Sequence, residues 1–191
     1  MFLRWVSGVV SLIVLSGLAM VALAAEKLPA ELDVDGTKLV LNGEGVRNRF
    51  FMDIYTAGLY LSETNGNAEE IVQKDAVQAV RLKITSSRVS RARFIDSIED
   101  GIRKSAGDDF PRYAPFIDEL REEMDAQDIQ INVGDLFGFD YVPGEGTRIL
   151  RNGEVMRVIE GLDFKQVLFG IYLGNDPIQD SLKREMLGEG V

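Results

Sequence analysis

Arginine and tyrosine are the residues through which this chain could do chemistry, and they gather in one short stretch. Within residues 41–61 (LNGEGVRNRFFMDIYTAGLYL), Arg47 and Arg49 follow the Gly-rich segment Gly43-Glu44-Gly45 and precede a strand-like run carrying Tyr55 and Tyr60. An arginine beside such an apolar run is costly to bury unless something anionic or strongly polar meets it. Guanidinium is also the side chain best shaped to hold a carboxylate or an enolate-like oxygen through two parallel N–H bonds. The spacing therefore points to a ligand-holding arginine, with a paired structural arginine as the alternative.

The chain contains no Cys and no His. That excludes thiol nucleophiles, disulfides, thiolate metal sites, Ser-His-Asp triads and His-ligated zinc. Catalysis, if there is any, must rest on Arg, Lys, Tyr, Asp or Glu, and neither a metal nor a cofactor is expected. Gly43-x-Gly45 lacks the third glycine of a dinucleotide fingerprint and no helix is expected after it. Glu69-Glu70 and Glu122-Glu123 read as solvated helix faces, because paired carboxylates for acid–base work need an apolar setting. Arg88, Arg91 and Arg93 cluster near a helix start and read as an exposed, partly paired surface, with a ligand-facing role as the alternative.

The elements that must position these residues follow from the apolar pattern. Leu39 to Leu41 reads as a strand leading into a turn-like break at 42–45. Val46 to Leu61 reads as one or two buried strands, and Val77 to Thr85 alternates Val80, Leu82 and Ile84 with Arg81, Lys83 and Thr85 as a half-buried strand. A short helix is expected over Ala68 to Lys74. Phe94, Ile95, Ile98 and Ile102 share one helical face, and Phe116, Ile117, Leu120 and Met124 another. Strands are expected over 134–142, 147–151 and 154–160, the last two joined by Asn152-Gly153 in a type I′ turn. Asp163 with Gln166 resembles a capping box for a helix burying Phe164, Val167, Leu168, Ile171 and Tyr172, stopped by Gly174. Asp176, Pro177 and Gln179 are expected to open the last helix. No internal repeat or interdomain linker is visible, so one α+β domain with a mainly antiparallel sheet is the natural reading.

The first residues set the expected compartment. Arg4, the apolar run Val9 to Leu23 and the ending Ala22-Leu23-Ala24 have the layout of a secretory signal peptide, shorter than a spanning helix needs. Cleavage after Ala24 is expected, giving a periplasmic protein of residues 25–191 with no integral membrane span; an uncleaved N-terminal anchor is the alternative. The formal net charge of −10 argues against nucleic acid as a partner and against electrostatic docking on anionic lipid. It leaves open an anionic ligand held by a few arginines in a pocket.

Residues 41–61 resemble the opening strands of the chalcone isomerase-like proteins, with their Gly-x-Gly-x-Arg turn and Ala-Gly-x-Tyr-Leu strand. GDLFGFDYVPGEGTRILRNGE (134–154), GLDFKQVLFGIYLGNDPI (161–178) and the Leu-Lys-x-x-x-Leu-Gly ending (182–188) extend the similarity, in order, over nearly the whole chain beyond the leader. The resemblance implies an open-faced β-sandwich, a large antiparallel sheet with a helical layer on one face. In the family's plant isomerases the arginine of the Gly-rich turn assists flavanone ring closure; in its fatty-acid-binding members an arginine and a tyrosine hold the lipid carboxylate. The matching positions here are Arg47 and Tyr55. Tyr55 stands where the plant enzymes carry a strand threonine, which argues against the isomerase. The resemblance thus implies a binder of a hydrophobic carboxylate such as a fatty acid. The alternatives are an intramolecular lyase in which Arg47 and Tyr55 act on a polyketide-like ligand, with Arg47 stabilising charge on its ketone oxygen, and a partner-binding domain without a pocket.

Overall fold

The computed structural model describes residues 27–189; the expected leader and its cleavage site lie outside them. Seven antiparallel strands form one sheet in chain order: β1 (Glu31–Val34), β2 (Thr37–Arg49), β3 (Met52–Leu61), β4 (Gln78–Ile84), β5 (Leu136–Val142), β6 (Gly146–Arg151) and β7 (Glu154–Ile159). Five α-helices are present among the described residues: α1 (Ala68–Gln73), α2 (Arg91–Ala106), α3 (Ala114–Ala126), α4 (Leu162–Leu173) and α5 (Asp180–Met186). This is the expected α+β fold, an antiparallel sheet with a helical layer.

Strand alternation decides what each face carries. Tyr55, Ala57, Leu59, Val80, Leu82, Ile84, Phe137, Phe139 and Ile149 point to one face and form the main core with the apolar sides of the helices. Those sides hold the expected residues: Phe94, Ile95, Ile98 and Ile102 of α2, Phe116, Ile117, Leu120 and Met124 of α3, and Phe164, Leu168, Ile171 and Tyr172 of α4 are all buried, with Val167 partly so. The opposite face carries a smaller cluster around Leu28, Leu39, Tyr60 and Ala79. There Arg81 is buried too, in a two-pronged ion pair with Asp140 across β4 and β5. β4 is therefore covered on both faces rather than half-buried.

Three local expectations are corrected. The Gly-rich segment is not a turn: β2 runs unbroken through Gly43 and Gly45, with an irregularity in its pairing between Leu41 and Gly43. A Cβ on Gly43 would lie 2.2 Å from the Glu185 carbonyl oxygen. The glycine is needed so that α5 can lie directly on the strand, where Asn42 donates to the Met186 carbonyl at 2.9 Å. The reversal comes later, at Phe50-Phe51, whose φ angles of 48° and 63° are those of a two-residue hairpin loop closed by Arg49 opposite Met52. Left-handed backbone without glycine costs about 1–3 kcal/mol per residue.

The other two corrections concern helix starts. Gly161, at φ 99°, is the residue before α4, and Asp163 lies inside the first turn, paired with Arg112, so there is no capping box. Pro177 precedes the last helix, which begins at Asp180 with Gln179 as its N-cap residue. The expected Asn152-Gly153 turn is present, with φ of 51° and 86°. A second turn of the same kind, Asp35-Gly36, joins β1 to β2.

Candidate functional site

Arg47 and Tyr55 face each other directly across β2 and β3. Directly paired residues put their side chains on the same face, here the one under the helices. Behind them stands Tyr172 from α4. The Tyr55 hydroxyl lies close enough to Tyr172 and to the Arg47 charge for both to act on its ionisation. Both tyrosines are buried. Burial pushes the Tyr55 hydroxyl up to about 12, against a smaller opposing pull from the Arg47 charge. Burial likewise raises Tyr172 well above its ordinary value. Both are neutral phenols at any physiological pH.

Gln179 completes the group. Its Oε1 accepts from Arg47 Nη1 at 2.9 Å and from the Asn48 backbone N–H at 2.9 Å, while its Nε2 donates to the Val46 carbonyl at 3.0 Å and to Ser181 Oγ at 2.7 Å. Arg47 also bonds the Asn48 carbonyl. No carboxylate pairs with Arg47 among the described residues. Most arginines elsewhere are spent on carboxylates, as Arg81 is on Asp140, Arg148 on Asp35 and Glu145, and Arg151 on Asp135. Arg47 is held in place by neutral acceptors and keeps an uncompensated charge.

That charge stands at the wall of a cavity of about 550 Å³ between the β2–β4 end of the sheet, α2 and the segment linking α4 to α5. The volume falls in the usual range for small-molecule sites. Ile54, Leu82, Val89, Phe94, Ile98 and Ile171 supply its apolar lining. Arg49, Arg88 and Arg93 line it as well and are exposed, with no ion pair to any of them among the described residues. Asp96 and Asp100 line it from further along α2.

The structure thus brings Arg47, Arg49, Tyr55, Arg88 and Arg93 to one cavity and leaves two of the sequence candidates outside. Tyr60 points to the opposite face and donates to the Pro29 carbonyl. Arg91 is turned to the end of α3, paired with Asp125 at 2.8 Å. Tyr172 lines the same cavity and Gln179 bonds Arg47, whereas sequence reasoning placed them only as a core residue and a helix start. Nothing in their local sequence marks them, because both reach Arg47 through tertiary packing. Lys165 was also not foreseen: wholly buried on α4, it donates to the carbonyls of Ile71, Val72 and Lys74 at the end of α1. Burial lowers its ammonium to about 8.

The tyrosines give a pH prediction. In the unfolded chain they ionise near their ordinary pKa of about 10. Folded, Tyr55 and Tyr141 hold their protons to about 12. A raised folded pKa contributes stability that is intact below the unfolded value and is lost as pH rises through the folded one. Stability should therefore fall between about pH 10 and 12. Tyrosinate absorbance should appear together with the loss of the circular dichroism signal; full tyrosine ionisation in a still-folded protein would contradict this.

Comparison with known proteins gives a consistent picture. Residues 20–188 match the family model described as chalcone isomerase-like. A crystal structure of an Arabidopsis thaliana fatty-acid-binding protein superimposes with a TM-score of 0.64 at 16% sequence identity, over 84% of this chain and 90% of that one. At that identity the likeness concerns the fold. A search of curated protein sequences finds no match.

Proposed function

Because the chain belongs to the chalcone isomerase-like family, whose fold is shared here with a fatty-acid-binding protein, we propose that it binds a hydrophobic carboxylate, such as a fatty acid, in the cavity above β2–β4. The observation that carries this reading is the uncompensated guanidinium of Arg47 at the wall of an apolar cavity. A carboxylate is the group that an arginine fork satisfies best. The acyl chain would lie among Ile54, Leu82, Phe94, Ile98 and Ile171. Tyr55 is the second contact: it lines the cavity beside Arg47, and its neutral O–H is a donor suited to a ligand carboxylate.

The test is calorimetric titration of the delipidated protein with fatty acids of increasing length. Affinity should rise with each methylene until the cavity is full, by up to about 0.8 kcal/mol per buried CH₂. The isomerase alternative draws on the same donors, since an enolate oxygen could sit where the carboxylate does. A chalcone cyclisation assay run alongside separates the two. Turnover well above the spontaneous rate and dependent on Arg47, without fatty-acid affinity, would replace the binding reading.

The compartment belongs to the same proposal. Export with cleavage after Ala24 predicts a periplasmic protein starting at Ala25. Intact mass spectrometry of the protein from a periplasmic extract checks it, and residues 1–24 retained in a membrane fraction would sink it. No helix among the described residues is long and apolar enough to cross a membrane.

A further inference from the structure

The β2–β3 hairpin ends in two adjacent phenylalanines that touch almost nothing. Phe50 is 78% and Phe51 107% exposed, more than any other large apolar side chain described. Both hold left-handed backbone, φ 48° and 63°, at positions where Asn-Gly would sit without strain. A loop that carries strained, solvated aromatics in place of cheap turn residues has given up stability for what the aromatics can reach. Their place in the fold gives the direction. Phe50 lines the mouth of the cavity, and around that mouth stand Arg49, Arg88 and Arg93, exposed and without a carboxylate partner among the described residues. Arg49 lies 5.5 Å from the Phe50 ring centre.

We infer that this tip is a membrane-docking wedge: Phe50 and Phe51 enter the interface of an anionic bilayer while Arg49, Arg88 and Arg93 meet lipid phosphates, setting the cavity mouth against the membrane. An apolar tip ringed by arginines is the arrangement that the headgroup boundary accommodates, with rings at the acyl margin and guanidinium groups on phosphate oxygens. The acidic net charge argues against attraction of the chain as a whole to anionic lipid, but charges beyond roughly 8 Å of the contact are screened at physiological ionic strength, which leaves the groups at the tip to decide. Three carboxylates lie near the mouth: exposed Asp53 beside the hairpin tip accepts from Asn48, and Asp96 and Asp100 lie about one and two turns further along α2 than Arg93; with Arg47, the arginines lining the cavity outnumber them. Docking does not depend on the acyl-binding reading. If both hold, the wedge places the cavity where a sparingly soluble ligand is exchanged.

Vesicle flotation tests the inference, using the purified protein with liposomes of phosphatidylcholine alone or mixed with phosphatidylglycerol. Binding is expected on the mixed vesicles, weaker on the neutral ones, and reduced by salt. Phe51→Gly relieves the backbone strain and removes the outermost ring; it should keep or raise the melting temperature while lowering vesicle partitioning by roughly tenfold. Phe51→Trp should retain binding and show a blue-shifted emission when vesicles are added. Each variant is compared with the parent chain, so any contribution of the first residues cancels. No binding to either vesicle, or equal binding by the parent and Phe51→Gly, overturns the wedge. So does a concentration-dependent dimer in sedimentation velocity that Phe51→Gly abolishes while vesicles remain unbound, since the tip would then be a self-contact. Fatty-acid titration of Phe51→Gly without vesicles keeps the two readings apart: retained affinity with lost flotation is the expected outcome.

Discussion

Arg47→Ala should weaken fatty-acid binding by about 2–5 kcal/mol, the range for removing one partner of a buried, hydrogen-bonded charge pair. Much of that loss is the cost of leaving the ligand carboxylate among apolar side chains without the guanidinium fork, with only the exposed Arg49, Arg88 and Arg93 as positive charges at the cavity. Arg47→Lys should recover only part of it. A lysine supplies one point charge in place of the planar fork, so it loses the two parallel N–H bonds to the carboxylate that a guanidinium makes while also bonding Gln179 at 2.9 Å. Tyr55→Phe removes one neutral donor and should cost about 0.5–1.5 kcal/mol, more if the acceptor is the ionised carboxylate. The three variants therefore form an ordered series, read by calorimetry on delipidated protein. Unchanged affinity in both Arg47 variants would remove the carboxylate clamp, whatever Tyr55→Phe did.

That Arg47 and Tyr55 would lie together was legible because they are close in sequence and fall opposite each other on one hairpin. Their setting was read wrongly in one respect. Gly43 and Gly45 look like a turn, since glycine there relieves no steric conflict visible from neighbouring residues. The conflict is with α5, far along the chain: the backbone of Glu185 and Met186 occupies the space a Cβ on Gly43 would need, and the Glu185 side chain that of a Cβ on Gly45. The hairpin turn itself was hidden for the opposite reason, because Phe50-Phe51 carries none of the residues that favour positive φ. Tyr172 and Gln179 were beyond sequence reasoning as site members. Each belongs to a helix whose local pattern is explained without the cavity. Asp35-Gly36 was legible and missed: it carries the same turn signal as Asn152-Gly153, but the strand before it, Glu31–Val34, is short and partly polar.

The helix faces were the most readable part of the fold, because 3.6-residue periodicity needs no knowledge of the partner. The buried sets of α2, α3 and α4 follow it closely. α4 exceeded it: Lys165, Phe169 and Leu173 are buried as well, since the helix lies between the sheet, α1 and α2 and is covered nearly all round. Periodicity identifies one apolar side; it does not show that a second side is closed by another helix or that a lysine there will find three carbonyls.

Leu168→Ala should destabilise the protein by roughly 2–5 kcal/mol, the span for emptying a buried leucine site. Position within that span depends on how far the surroundings can close. Leu168 is 1% exposed and borders a void of about 10 Å³, shared with Phe94, Phe116, Phe137, Phe139 and Ile149. These come from two helices and the sheet, and the rings are held by close ring contacts, Phe94 tilted against Phe137 with centroids 4.3 Å apart and Phe116 edge-on to Phe164. Rings locked in this way cannot move far into the space a leucine leaves. The lining is apolar, so water would find no partners in the enlarged cavity. The loss should therefore fall in the upper half of the range, which for a chain of this size lowers Tm by roughly 2–4 °C per kcal/mol. Val155→Ala on the exposed side of β7, where the side chain is 53% accessible, should stay within about 0.5 kcal/mol. Urea unfolding of both variants measures the contrast. A Leu168→Ala change as small as that of Val155→Ala would mean that α4 does not hold the helical layer to the sheet, and the floor of the proposed acyl site would lose its support.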